Sequence, residues 1–302
     1  MATRYFIIAA ILQLVWGLVP AASSLVIREI PVELYIALRW SISGVIFFLF
    51  LLLRDRWIPS WNIKTLQVAI LGILGYALGS FGTLYGLKIG GVANFALMAA
   101  FSPVLTSLTA ILVLKERPPK SFFLALALSL TGLLTLVFAK YSLTSFRIAF
   151  SAAVLIIGAF GLEAIIYMYS KKLKSEFSTF QYIAIAQLSA SIFMWILQFS
   201  FYHQVGELSA LTSTGWIAAV FVSIVSCVLC YSVLYWLLIY VDGHQLSLFE
   251  GLHALSAVTC GVLFFGDRLT PWMMIGGVLL LSGLALGSLR KNASIIPENM
   301  PN

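Results

Sequence analysis

The sequence predicts an all-α membrane protein of ten transmembrane helices arranged as two inverted five-helix repeats. Three observations carry this expectation. The 302 residues are 61% apolar and only 10% charged, whereas soluble domains are about half apolar and a quarter charged. Apolar runs close to the ~20 residues that cross a bilayer recur from one end of the chain to the other. Short patterns in the first half also return about 150 residues later.

In order, the spans are expected at 5–27, 34–53, 66–87, 92–114, 121–139, 151–170, 178–201, 214–240, 243–265 and 271–289. Short polar connections separate them, among them Arg54–Lys64, Lys115–Lys120 and Lys171–Glu176. Residues 1–144 would form the first repeat, 145–291 the second, and 292–302 a tail. A signal-peptide reading of residues 1–24 is set aside because the apolar run is long for that role. With the N-terminus in the cytoplasm, twelve Lys and Arg outside the spans fall inside and five (Arg28, Lys88, Lys140, Arg147, Arg268) fall outside. The positive-inside rule then puts both termini in the cytoplasm, and a cell (inner) membrane is the expected location. The net charge of +7 is spread over these loops and is not clustered as nucleic-acid binding would require.

Within the spans, each polar or aromatic candidate has a structural and a functional reading. In span 1, Gln13, Trp16 and Pro20 share one face, and Pro20 can free a backbone carbonyl. In span 2, Arg39 either snorkels and binds carbonyls as a structural group or receives a substrate carboxylate. Span 3 carries Gly72, Gly75, Gly79, Gly82 and Gly86, three and four residues apart, a small-residue seam for close helix contact. Tyr76 and Ser80 lie off that seam and are expected on the side of a cavity.

In the second half, Glu163 near the middle of span 6, with Tyr167 one turn on, is either protonated structural glue or a site for a cation or proton. Glu250 and His253, at i and i+3 in span 9, are neighbours on one face and either relay protons or hold the helix to its neighbours. Asp242 and His244 stand at the entrance of that span. Cys227, Cys230 and Cys260 lie in apolar runs, so the C-x-x-C reads as packing rather than redox or metal chemistry. No cofactor or metal site is expected.

The repeat is read from residues in register. A shift of 151 places Glu116-Arg117 on Asp267-Arg268 and Thr131-Gly132-Leu133 on Ser282-Gly283-Leu284; a shift of 150 places Leu84-Tyr85-x-Leu87 on Leu234-Tyr235-x-Leu237. Five spans per unit invert the second copy, the build of many secondary transporters with a midplane site.

Trp16-Gly17, Arg39-Trp40, Ser102-Pro103-Val104-Leu105 with Leu114-Lys115-Glu116-Arg117, and Asp267-Arg268-Leu269-Thr270 together resemble the EamA branch of the drug/metabolite transporter superfamily. The resemblance covers nearly the whole chain. It departs at His253-Ala254, where the family often has Glu-Pro; Pro103, its first-half counterpart, is kept as a structural residue. The resemblance implies a ten-span carrier with a central cavity between the halves, moving small metabolites. Amino-acid export is the leading expectation and carriage of a cationic amine such as choline the second. Expected partners are a small-molecule substrate, lipid and a candidate proton, with the chain a monomer or weak homodimer. ATP drive is not expected, since no G-x-x-x-x-G-K-[ST] occurs. An intramembrane enzyme would need a nucleophile–base pair or H-E-x-x-H, and neither stands out.

Overall fold

The computed structural model describes residues 2–99, 101–140, 146–173, 175–253, 255–256 and 270–289. The Asp267-Arg268 motif, Ala254, Cys260, Arg290, Lys291 and the 292–302 tail lie outside these residues. In lipid every backbone N–H and C=O must pair within the protein, so apolar segments become helices. Six are long and apolar enough to cross a membrane: Arg4–Glu29, Val32–Asp55, Ile63–Gly90, Ser151–Lys172, Thr179–Tyr202 and Ser213–Tyr240. Three shorter apolar helices, Ser102–Leu114, Lys120–Thr135 and Met274–Leu286, accompany them. Among the described residues the chain is all-helical. Large apolar side chains such as Ile7, Leu49, Phe199 and Val278 are exposed on the outside, as lipid contact demands.

The helices are α1 Ala2–Trp16, α2 Val19–Glu29, α3 Val32–Asp55, α4 Ile63–Gly72, α5 Gly79–Ala99, α6 Ser102–Leu114, α7 Lys120–Lys140, α8 Phe146–Lys172, α9 Thr179–Leu197, α10 Ser213–Phe221, α11 Tyr231–Tyr240, α12 Gly243–Phe249 and α13 Pro271–Leu289. Prolines divide two spans. Pro20 stands in the first turn of α2 and Pro103 in the first turn of α6. There the missing N–H costs nothing, whereas in a continuous helix it would leave a carbonyl unpaired. The outer turn expected at residues 88–91 is absent. α5 runs through Lys88 to Ala99, and the break falls at Phe101, directly before Ser102-Pro103.

Contacts at the helix ends establish how the spans alternate. Tyr5 stacks on Tyr240 at 5.0 Å, joining the start of α1 to the end of α11. Glu29 accepts from the Thr212 N–H (2.9 Å) and hydroxyl (2.8 Å), joining the end of α2 to the start of α10. Glu116 accepts from the Gly243 N–H at 3.0 Å, joining the end of α6 to the start of α12. One end of the bundle is therefore marked by Glu116, Tyr5 and Lys171, the other by Glu29, Glu33 and Thr212.

The two halves repeat their backbone devices. A π-helical segment at Ile73–Leu78 follows α4, and another at Val222–Cys230 follows α10, about 150 residues on. A π turn frees a carbonyl from its usual partner. In the first half Trp40 Nε1 donates to the Tyr76 carbonyl at 3.0 Å; in the second Gln187 Nε2 donates to the Cys227 carbonyl at 2.9 Å. The two carbonyls are 151 residues apart. α7 and α13 pack together by the same rule. A Cβ at Gly132 would lie 2.6 Å from the Gly276 carbonyl oxygen, and one at Gly283 would lie 2.7 Å from that of Ala125. The 151-residue shift exchanges these two contacts. The glycine seam of span 3 meets α8 and α9: Gly75 faces Ile166, Gly79 faces Glu163, and Gly82 faces Leu155 and Ala159.

Candidate functional site in the central cavity

The seam decides how close α8 approaches, and so where its acid sits. A Cβ on Gly79 would lie 3.3 Å from Glu163 Cγ. Gly17 does the same for the segment after α12: a Cβ there would lie 2.7 Å from the His253 carbonyl oxygen. Between these contacts is a cavity of about 100 Å³ open to water centres. One water needs ~10–15 Å³ on that measure, so several fit.

One wall comes from α1 and α2 through Gln13, Trp16, Val19, Pro20 and Ser23. Trp16 is pinned by a 2.8 Å hydrogen bond from Nε1 to Ser226 and by an edge contact with Tyr231 at 5.1 Å. On the opposite wall Glu163 accepts from the Tyr167 hydroxyl at 2.8 Å. Arg39 enters from α3, buried, its guanidinium over the Trp40 ring at 4.4 Å. Glu250 interacts with the Ser102 and Thr106 hydroxyls of α6, and His253 stands beside Phe95 at 6.4 Å between ring centres.

The cavity lies toward one end of the bundle. Its lining reaches Ser23, Arg39 and Leu87 in the direction of Glu29. Toward Glu116 it is closed by rings. Trp40 stacks on Tyr76 at 4.5 Å, the Tyr76 and Tyr235 hydroxyls share a 2.7 Å hydrogen bond, and Tyr182 packs on Tyr235 at 5.6 Å.

Gln13, Trp16, Glu163, Tyr167, Glu250 and His253, singled out from the sequence, all line this cavity, as do Arg39 and Pro20. Tyr76 and Ser80, expected on the side of a cavity, are placed elsewhere. Both are completely buried and neither lines the cavity; Ser80 Oγ and the Tyr76 carbonyl instead receive the Trp40 indole N–H. Ser80 shares its helix face with Thr83, Leu84 and Leu87, which do line the cavity, but lies a turn deeper, covered with Tyr76 by the Trp40 ring. Gly79 lies behind Glu163, and Pro103 is buried at the start of α6 without lining the cavity. Ser102, Thr106 and Ser226 line it without having been picked as site residues. The i, i+4 spacing of Ser102 and Thr106 was their one available signal.

Three polar atoms of the lining are buried without a hydrogen-bond partner: Arg39 Nε, Glu250 Oε2 and His253 Nε2. Burying such atoms unpaired costs about 1–3 kcal/mol each, and more when charged. Three polar atoms are thus left open around one cavity inside a helical membrane bundle. The family is explicit. A model of the EamA-like transporter family matches residues 3–138 and again residues 150–289, and the chain belongs to that family. It is thus a multi-pass membrane protein of a small-molecule transporter family, built from two family repeats. A solved structure described only as the crystal structure of a protein is similar in fold, with a TM-score of 0.73 at 18% identity over 96% of this chain and 98% of that one. No curated protein matches.

Proposed function

We propose that the chain is a secondary active carrier of small metabolites, working by alternating access between two inverted five-span halves. Both termini lie in the cytoplasm, with the Glu116 end inside and the Glu29 end outside. The leading substrate is an amino acid or related metabolite, exported across the cell (inner) membrane. The observation that carries this reading is the set of unpaired polar atoms around the cavity. Arg39 Nε is a donor suited to a carboxylate; Glu250 Oε2 is an acceptor suited to a protonated amine, and His253 Nε2 is open on the same lining. Trp16, Phe160 and Tyr231 supply rings for the apolar remainder. Glu163, Glu250 and His253 are the groups through which a proton would couple to the cycle.

A second reading, carriage of a cationic amine, is favoured by one feature. Two acids, Glu163 and Glu250, face the cavity with one arginine, Arg39, and Trp16 offers a face for a quaternary ammonium.

Counterflow in proteoliposomes tests both. Vesicles loaded with an unlabelled amino acid should accumulate the labelled form transiently and saturably, while the corresponding methyl ester and choline are transported poorly. Transport of choline or the ester in preference to the free amino acid would favour the second reading. Conversion of the solute to a product would point to an enzyme.

A further inference from the structure

The end of the bundle marked by Glu116 carries a polar cluster that the cavity does not use. Glu116 follows α6 in a short loop, its side chain only 10% exposed. Its carboxylate accepts four hydrogen bonds: from the N–H groups of Gly243 (3.0 Å) and His244 (3.1 Å), from His244 Nδ1 (2.6 Å) and from Lys171 Nζ (3.4 Å). The first two come from the opening turn of α12, where backbone N–H groups have no partner within the helix. Lys171, at the end of α8, stands equally 3.4 Å from Asp242 Oδ1 and from the Val241 carbonyl. His244 is buried edge-on against Phe122 of α7 at 5.0 Å. The Glu116 carboxylate thus joins the ends of α6 and α8 to the start of α12, and its partners Lys171 and His244 extend the cluster to Val241 after α11 and to Phe122 of α7.

Placement gives this cluster a mechanical role. The segment it anchors continues to Glu250 and His253, which line the cavity. The Tyr76–Tyr235 pair closes the cavity floor on the same side. Deeper along the same two helices, Ser107 and Ser247 share a 2.7 Å hydroxyl bond, a second tie between α6 and α12. Between the cavity and the Glu116 end the bundle is therefore shut by an aromatic floor and, beneath it, by this clasp.

We infer that Glu116 is the latch of the inner gate: its bonds to the start of α12 hold the Glu116 end closed, and their release is the step that opens the cavity to that side. The inference rests on the alternating-access reading and adds which contact must break. Lys171 suits such a release. Placed between two acids, it keeps Asp242 as a partner when Glu116 swings away, and the freed carboxylate meets the water that enters the opened gap.

Accessibility, measured without any substrate, tests the latch. Leu234→Cys, a cavity-lining position, is the reporter in a chain whose three native cysteines are replaced. A membrane-impermeant thiol reagent is applied to intact cells and to inverted vesicles. With Glu116 in place, labelling is expected mainly from the Glu29 side. Glu116→Gln, whose amide N–H₂ opposes the N–H groups of Gly243 and His244, should raise labelling from the Glu116 side at least fivefold and slow it from the other. His244→Ala keeps both backbone bonds and should shift the ratio in the same direction by less, which covers the case of a poorly folded Glu116→Gln. An unchanged ratio in both variants overturns the latch while leaving the counterflow result untouched. Equal labelling from both sides in the parent protein overturns the latch and the alternating-access reading together.

Discussion

Acid should weaken the protein at the Glu116 end before it affects the spans. Burial by itself raises the pKa of Glu116; the hydrogen bonds from the His244 side chain and from the Gly243 and His244 N–H groups, with the Lys171 charge, outweigh it and lower the pKa from 4.5 to about 2. A depressed carboxylate pKa contributes stability that is complete above the unfolded value and disappears as pH falls through the folded one. The shift corresponds to about 3 kcal/mol. The direct measurement is the unfolding free energy of wild type and Glu116→Gln in mixed micelles from pH 8 to pH 3. The gap between the two should be constant above about pH 5, narrow steadily below pH 4.5, and fall to about 1 kcal/mol at pH 3. A gap of full size persisting at pH 3, or no gap at pH 7, would refute the assignment of these four bonds as the source of the shift.

Three further outcomes follow from the cavity and the packing. Glu163→Gln should abolish most transport while expression stays near wild type; undiminished transport removes Glu163 from the site. If His253 and Glu250 pass protons, His253→Ala should flatten the response of uptake to an imposed pH gradient, and a wild-type response removes that role. Gly132→Ala and Gly283→Ala should each destabilise the bundle by about 1–3 kcal/mol, because the added methyl meets a backbone carbonyl of the facing helix that cannot rotate aside. Their costs should also agree with each other. Unequal costs in denaturant unfolding would argue that the two halves are not related at this contact.

Much of the bundle is legible in the sequence because lipid leaves few alternatives. Apolar stretches must be helical, and loops must be short and polar. The glycines of span 3 announced a close neighbour, and the structure supplies Ile166, Leu155 and Glu163 as the groups they accommodate. Charges in apolar runs stood out for a related reason: Glu163 and Glu250 are costly to bury and so point inward. What was not legible depended on how helices cover one another and where they break. Periodicity puts Ser80 on the same face as Thr83, Leu84 and Leu87, but how deep the cavity reaches depends on the Trp40 ring, which covers Tyr76 and Ser80 from another helix. The spans expected at 66–87 and 92–114 left a turn near Lys88; here the break falls before Pro103 and Lys88 remains an exposed residue of α5. Ser102 and Thr106 carried little signal because hydroxyls in membrane helices commonly bond back to their own turn, as Thr109 does to Leu105 at 2.8 Å.

The correspondence of the halves is a property of the scaffold and stops at the site. The π turns, the carbonyls in them that receive a side-chain donor, and the Gly132 and Gly283 contacts recur at about the repeat distance. The polar groups of the cavity do not: the first half supplies Arg39, and the second supplies Glu163, Glu250 and His253. A carrier that exchanges the conformations of its halves needs this combination. The moving parts must be nearly equivalent, so that opening one way costs about as much as opening the other. The binding groups must not be, so that a polar solute keeps one pose while the gates around it alternate. Glu116 belongs to the scaffold by its place in the repeat, so its partners at the start of α12 should be exchanged during the cycle while Arg39 and Glu250 keep theirs.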